Sequence, residues 1–197
     1  MISAPGMRLR DLLFVPMALA LACSQPGSGS ASAVPVTIAP DSIDSLAAHS
    51  QLLDSAFAHV GTRLVYVRDS TQWPDTADVE FHVTRTRSGQ PVRHLEAPVS
   101  QSGDWHLELI HYFDAQGRTQ RFVSEGRYFR SGCGSGVIVD RRVISFRPDF
   151  TVVDSQRTLL DDRGAHVDSR ECGHAYAFFA GTPRPSFQAL LHAGLAR

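Results

Sequence analysis

The sequence predicts a mainly β domain: a single antiparallel meander sheet or open half-barrel, with an N-terminal helix and a short C-terminal helix. Three observations carry this. Apolar residues recur at every second position from Thr62 to about Asp168. The links between these segments are short and carry Asp and Gly at turn positions. Helical spacing is confined to the two flanks.

Asp41 or Ser42 can cap the first helix, with Pro40 just ahead. Ile43, Leu46, Ala47, Leu53, Phe57 and Val60 then fall on one helical face, and Gly61 supplies a stop. The polar side of this helix holds Asp44 and Asp54 and no arginine, which argues against a membrane-surface helix. Strands are expected at 64–68, 79–86, 92–97, 105–113, 119–129, 137–146 and 150–160. Arg87-Ser88-Gly89, Asp114-Ala115-Gln116-Gly117 and Asp161-Asp162-Arg163-Gly164 read as the turns between them. Links this short force neighbouring strands to run antiparallel. Beyond Thr182-Pro-Arg-Pro, Ser186 can cap a last helix with Phe187, Leu190 and Leu191 on one face.

Three regions are expected along the chain: 1–22, an export signal; 23–40, a linker; and 41–197, the folded domain. Leu12 to Ala22 is an unbroken apolar run, preceded by Arg8 and Arg10. A bilayer span needs about 20 such residues, so the run fits a secretory signal core and not a transmembrane anchor. Met7 offers a second start. Ser24 to Pro40 holds only small, polar and apolar residues, with no charge and no aromatic ring. It has the composition of a flexible tether, holding a domain roughly 20–25 Å from its anchor.

Ala20-Leu21-Ala22 fits the A-x-A pattern of general signal peptidase. The stretch Leu19-Ala20-Leu21-Ala22-Cys23 resembles the lipobox of bacterial lipoproteins, with Ala20 where the family usually has leucine. The resemblance covers the signal segment alone. It implies a thioether-linked diacylglycerol and a fatty acyl chain such as palmitate on Cys23, which becomes the mature N-terminus. It also implies a domain tethered by lipid to a bacterial membrane, on the periplasmic or extracellular side. The tether composition favours this over simple cleavage. The cysteine count agrees, since lipid on Cys23 leaves Cys133 and Cys172 free to pair in an oxidising envelope.

Lysine plus arginine number 19 against 20 acidic residues, for a net charge of −1, which points to no nucleic-acid partner. The chain has neither lysine nor asparagine, which excludes Schiff-base lysines and N-glycosylation. The run Arg130-Ser-Gly-Cys133-Gly-Ser-Gly136 fails the G-x-S-x-G nucleophile pattern, because Cys133 stands where a glycine is required. Cys133, Cys172, His166 and His174 have zinc-ligand types without zinc-ligand spacing, so neither metal nor cofactor is expected. His82, His94, His106 and His111 scatter along the strands and read mostly as surface residues. His106 and His111, five positions apart, point to opposite faces.

Arg118, Arg121, Arg127, Arg141 and Arg142 form a candidate anion-binding patch. Two functional readings follow. One is a non-catalytic binding or structural module that holds an envelope protein or an anionic ligand. The other is an envelope hydrolase or metal-dependent enzyme using Cys133, Cys172 and His174. The missing nucleophile–base and metal spacings favour the first. A deep pocket of converging His, Asp and Arg side chains would favour the second.

Overall fold

The computed structural model describes residues 52–133, 136–173 and 181–195. Eight strands form one antiparallel sheet: β1 (Leu52–Val60), β2 (Arg63–Val67), β3 (Val79–Thr86), β4 (Pro91–Pro98), β5 (Trp105–Phe113), β6 (Thr119–Phe129), β7 (Val137–Phe146) and β8 (Val152–Asp161). A one-turn helix, α1 (Ser169–Cys172), and a longer one, α2 (Phe187–Leu195), follow. The spatial order is β2-β1-β3-β4-β5-β6-β7-β8. β3 to β8 are the expected meander. β2 departs from it by turning back along the far side of β1, and a link with a 3-10 turn at Ser70–Gln72 then leads to β3.

The expected N-terminal helix is corrected over residues 52–60, which form β1; its earlier part, 41–51, lies outside the described residues. Two signals were ambiguous. Gly61 has φ +59 and starts the two-residue link from β1 to β2, the place where a type II′ hairpin takes glycine. A helix stop uses glycine for the same left-handed freedom. β1 also carries apolar residues on both faces, although Leu53 is 53% exposed. Leu52, Ala56 and Ala58 fall on one side and Leu53 and Phe57 on the other, which hides the period of two.

The turns form as expected. The Gly117 N–H donates to the Asp114 carbonyl at 3.0 Å, and Asp114 Oδ1 accepts from the N–H groups of Gln116 and Arg118. Asp161 and Gly164 repeat the arrangement after β8. Such side-chain acceptors make a short link self-sufficient, so it sets the register of the strands it joins.

Register assigns each side chain to a face. Val83 pairs with His94, His94 with His111, and His111 with Phe122. These lie on what is called here the inner face, together with Phe81, Leu107, Leu109, Tyr128 and Ile138. At the β5–β8 end of this face Leu107, Tyr128, Ile138 and Leu159 close around Cys133 and Cys172 as one buried cluster. The outer face has its own smaller cluster of Leu52, Val92, Tyr112 and Val123.

Cys133, in the β6–β7 link, and Cys172, in α1, stand at disulfide distance with Cα atoms 5.6 Å apart. The Tyr128 hydroxyl donates to the Cys172 carbonyl at 2.9 Å, and the Arg130 guanidinium donates to the Gly173 carbonyl. α1 is thus fastened to β6 by side chain, backbone and sulfur together.

From Gly181 the chain crosses the inner face. The Thr119 N–H donates to the Pro185 carbonyl, and the Thr119 hydroxyl donates to the Arg184 carbonyl at 2.6 Å. Ser186 caps α2 as expected, its Oγ accepting from the Ala189 N–H at 3.2 Å. Gly181 sits where only glycine fits. Its φ is +59, and a Cβ there would lie 2.6 Å from Leu109 Cδ2 and 3.0 Å from Phe122 Cζ. Gly181→Ala is therefore expected to cost about 1–3 kcal/mol, from overpacking and backbone strain together. A urea titration checks this; an unchanged midpoint would contradict the close approach.

Candidate functional site

Between the inner face of β1 to β5 and the returning segment 181–193 lies a cavity of about 740 Å³. That is within the range of sites that enclose small molecules, about 300–1,000 Å³. Its walls are graded. At one end stand Phe57, Leu64, Phe81, Pro98 and Trp105. Leu107 and Leu109 form its floor, and Leu190, Leu191 and Ala193 of α2 roof it. At the other end four polar residues converge: Arg85 from β3, His94 from β4, His111 from β5 and Arg184 from the returning segment. Glu96 stands in one row with Phe57, Phe81 and Leu109, and His59 beside β2.

The two histidines correct the expectation of surface rings, because His94 is 7% exposed and His111 2%. Phe81 lies 5.8 Å from His94, and Phe122 lies 4.8 Å from His111, centroid to centroid. The two imidazoles are 6.4 Å apart. Burial among these rings disfavours the charged forms. It depresses His94 to about 4, helped by Arg85, and His111 to about 3, helped by His94 and Arg184. Both are neutral at pH 7.

The tautomer of His111 follows from its partner. The Arg184 backbone N–H donates to His111 Nε2 at 3.1 Å, so the ring proton of the neutral form is on Nδ1. Among the described residues that Nδ1–H has no hydrogen-bond partner, and neither does Nδ1 of His94. A buried donor left unmade costs about 1–3 kcal/mol, which a bound acceptor would recover.

The other histidines fall elsewhere. His106 is exposed on the outer face with its Nε2 3.2 Å from Glu108, so His106 and His111 do lie on opposite faces. His82 Nδ1 is 3.1 Å from Asp54 Oδ2, and the Thr84 hydroxyl donates to the same carboxylate at 2.8 Å. The contact with His82 holds the Asp54 carboxyl below its usual range. His166 forms a bridge to Leu160, and His174 lies outside the described residues. Among the described residues no group of His, Cys, Asp and Glu side chains is arranged to hold a metal ion.

The five arginines of the candidate patch do not meet at one point. Arg121, Arg127 and Arg141 share the outer face, where Glu125 stands 3.1 Å from Arg127 and 3.9 Å from Arg141. Arg118 pairs with Asp114 at 2.8 Å in the β5–β6 turn. Arg142 lies on the inner face, its register neighbours Ser124 and Arg157. The residues that line the cavity were invisible as a group in sequence. The connection from β4 to β5 is too long to fix their register, and Arg184 meets His111 from 73 positions away.

No family model matches this chain, and no curated protein or solved structure matches it either.

Proposed function

We propose that the protein is a lipid-anchored envelope module that binds a small, largely apolar molecule between its sheet and α2. The observation that carries this reading is the cavity of about 740 Å³, with an apolar body and a few polar groups gathered at one end. Attachment through Cys23 rests on the signal and tether read in the sequence. It would put the cavity close to a membrane from which an apolar ligand could come.

A catalytic reading is less well supported by the same residues. A general base works best with a pKa near the operating pH, whereas both cavity histidines stay neutral to about 4 or below. Neither ring accepts a proton from a hydroxyl or thiol at Nδ1. Cys133 and Cys172 stand at disulfide distance, and a paired sulfur is neither nucleophile nor metal ligand.

Two experiments test the two halves of the reading. Cys23→Ala is expected to move the protein out of the membrane fraction or to leave it unprocessed. Mass spectrometry of the wild type should show a chain beginning at Cys23 and heavier by a lipid; an unmodified soluble chain would refute the anchor. For the cavity, Val83→Trp fills it from the sheet side and should abolish uptake of the uncharged fluorophore N-phenyl-1-naphthylamine by a chain that still melts cooperatively. Uptake equal to wild type would refute the site.

A further inference from the structure

We infer that the molecule taken up is a single-chain amphiphile with an anionic head, seated with its head at Arg85, His111 and Arg184 and its chain along Leu109, Leu107 and Trp105. This rests on the binding reading above and specifies the ligand class.

The His111 Nδ1–H is buried, has no partner among the described residues, and belongs to a ring whose other nitrogen is already held by the Arg184 backbone. His111 lines the polar end of the cavity, but Nδ1 itself is closed off from it, so an acceptor meets this N–H only when the ring shifts. Arg85 and Arg184 flank the same end, and among the described residues neither guanidinium forms a salt bridge. The Arg85 guanidinium instead lies 5.6 Å from the centre of the Phe187 ring, at the start of α2. Two guanidinium groups at one end of a largely apolar cavity, beside the neutral His111 ring, favour an anionic group there. A carboxylate or a phosphate monoester supplies it, with bidentate geometry open to each guanidinium.

The remaining wall then fixes the rest of the molecule. From His111 the inner face of β5 runs through Leu109 and Leu107 to Trp105, every second residue and so about 6.8 Å per step. The row is apolar from Leu109 to Trp105 and about 20 Å long from His111, a length that an extended alkyl chain follows. Glu96 stands beside this path at the level of Leu109, where a head group would be repelled and a methylene chain would not. The charge pattern therefore gives the ligand one orientation.

The test uses the full chain in its membrane. A palmitate analogue with a diazirine near its methyl end is photoactivated, and labelled peptides are mapped by mass spectrometry. Labels are expected on peptides holding Trp105–Leu109 and Leu190–Leu191. Unlabelled palmitate or monohexadecyl phosphate should compete at least ten-fold better than hexadecanol, and the stronger of the two identifies the head. Arg184→Gln, an exposed position, and Arg85→Gln should each cut the labelling several-fold and narrow the gap to hexadecanol. Equal competition by hexadecanol, or arginine variants that label like wild type, would overturn the inference while leaving an apolar site. No label on cavity peptides would overturn the binding reading itself.

Discussion

Reducing the Cys133–Cys172 pair is expected to lower the stability of the domain by about 4 kcal/mol and its Tm by roughly 10 °C. The sulfurs join positions 39 apart, and freeing a loop of that length returns about this much entropy to the unfolded chain. The native side has little with which to compensate. α1 is one turn long; the Tyr128 hydroxyl of β6 bonds its Cys172 carbonyl, and Arg130, just past β6, bonds the Gly173 carbonyl that follows it. The buried cluster of Leu107, Ile138 and Leu159 also loses its cover if α1 departs. Thermal melts with and without reductant, read beside thiol titration of the denatured chain, measure the effect. Two free thiols without reductant, or a Tm unmoved by reduction, would contradict it.

The second large effect is acid sensitivity. His94 and His111 are neutral in the folded protein down to about 4 and about 3, whereas in an unfolded chain a histidine titrates near 6.5. Above pH 6.5 neither state takes up the proton, and the contribution to stability is complete. As pH falls below 6.5 the unfolded chain binds protons that the folded rings refuse. Stability is then lost at about 1.4 kcal/mol per pH unit for each ring until its folded value is reached. The groups facing the pair are Arg85, Arg184, Glu96 and His59, and the two arginines act in the same direction as burial. Urea midpoints between pH 7 and 4.5 should therefore fall steeply in the wild type. His111→Phe keeps the ring contacts with Phe113 and Phe122 and removes one titrating group, so it should flatten the acid limb by about half. An unchanged slope in the variant would contradict the burial of His111.

How much of this was legible in sequence varies with how local each feature is. The bounds of β3, β5, β6 and β7 agree with the expected strands, because alternation and Asp–Gly turns are written within a few residues of one another. β1 hid its period of two because apolar residues stand at both parities, Leu52, Ala56 and Ala58 against Leu53 and Phe57, and because glycine ends helices and hairpins alike. The pairing of Cys133 with Cys172 was legible by count. The cavity was not. It exists because the segment from Gly181 returns across the sheet, and no local pattern announces that His111 will meet the backbone of Arg184. His94 and His111 are polar residues at inward strand positions, a conflict with burial that marks them only once register is known.

The most direct test of the central claim, that the cleft between sheet and α2 is a binding site, is amide chemical-shift mapping during titration with N-phenyl-1-naphthylamine. Saturable shifts are expected at Phe81, Leu109, Gly181 and Leu190, and none at Val139, Val143 and Gln156 on the outer face. Shifts confined to the outer face, or no saturable shift anywhere, would contradict it.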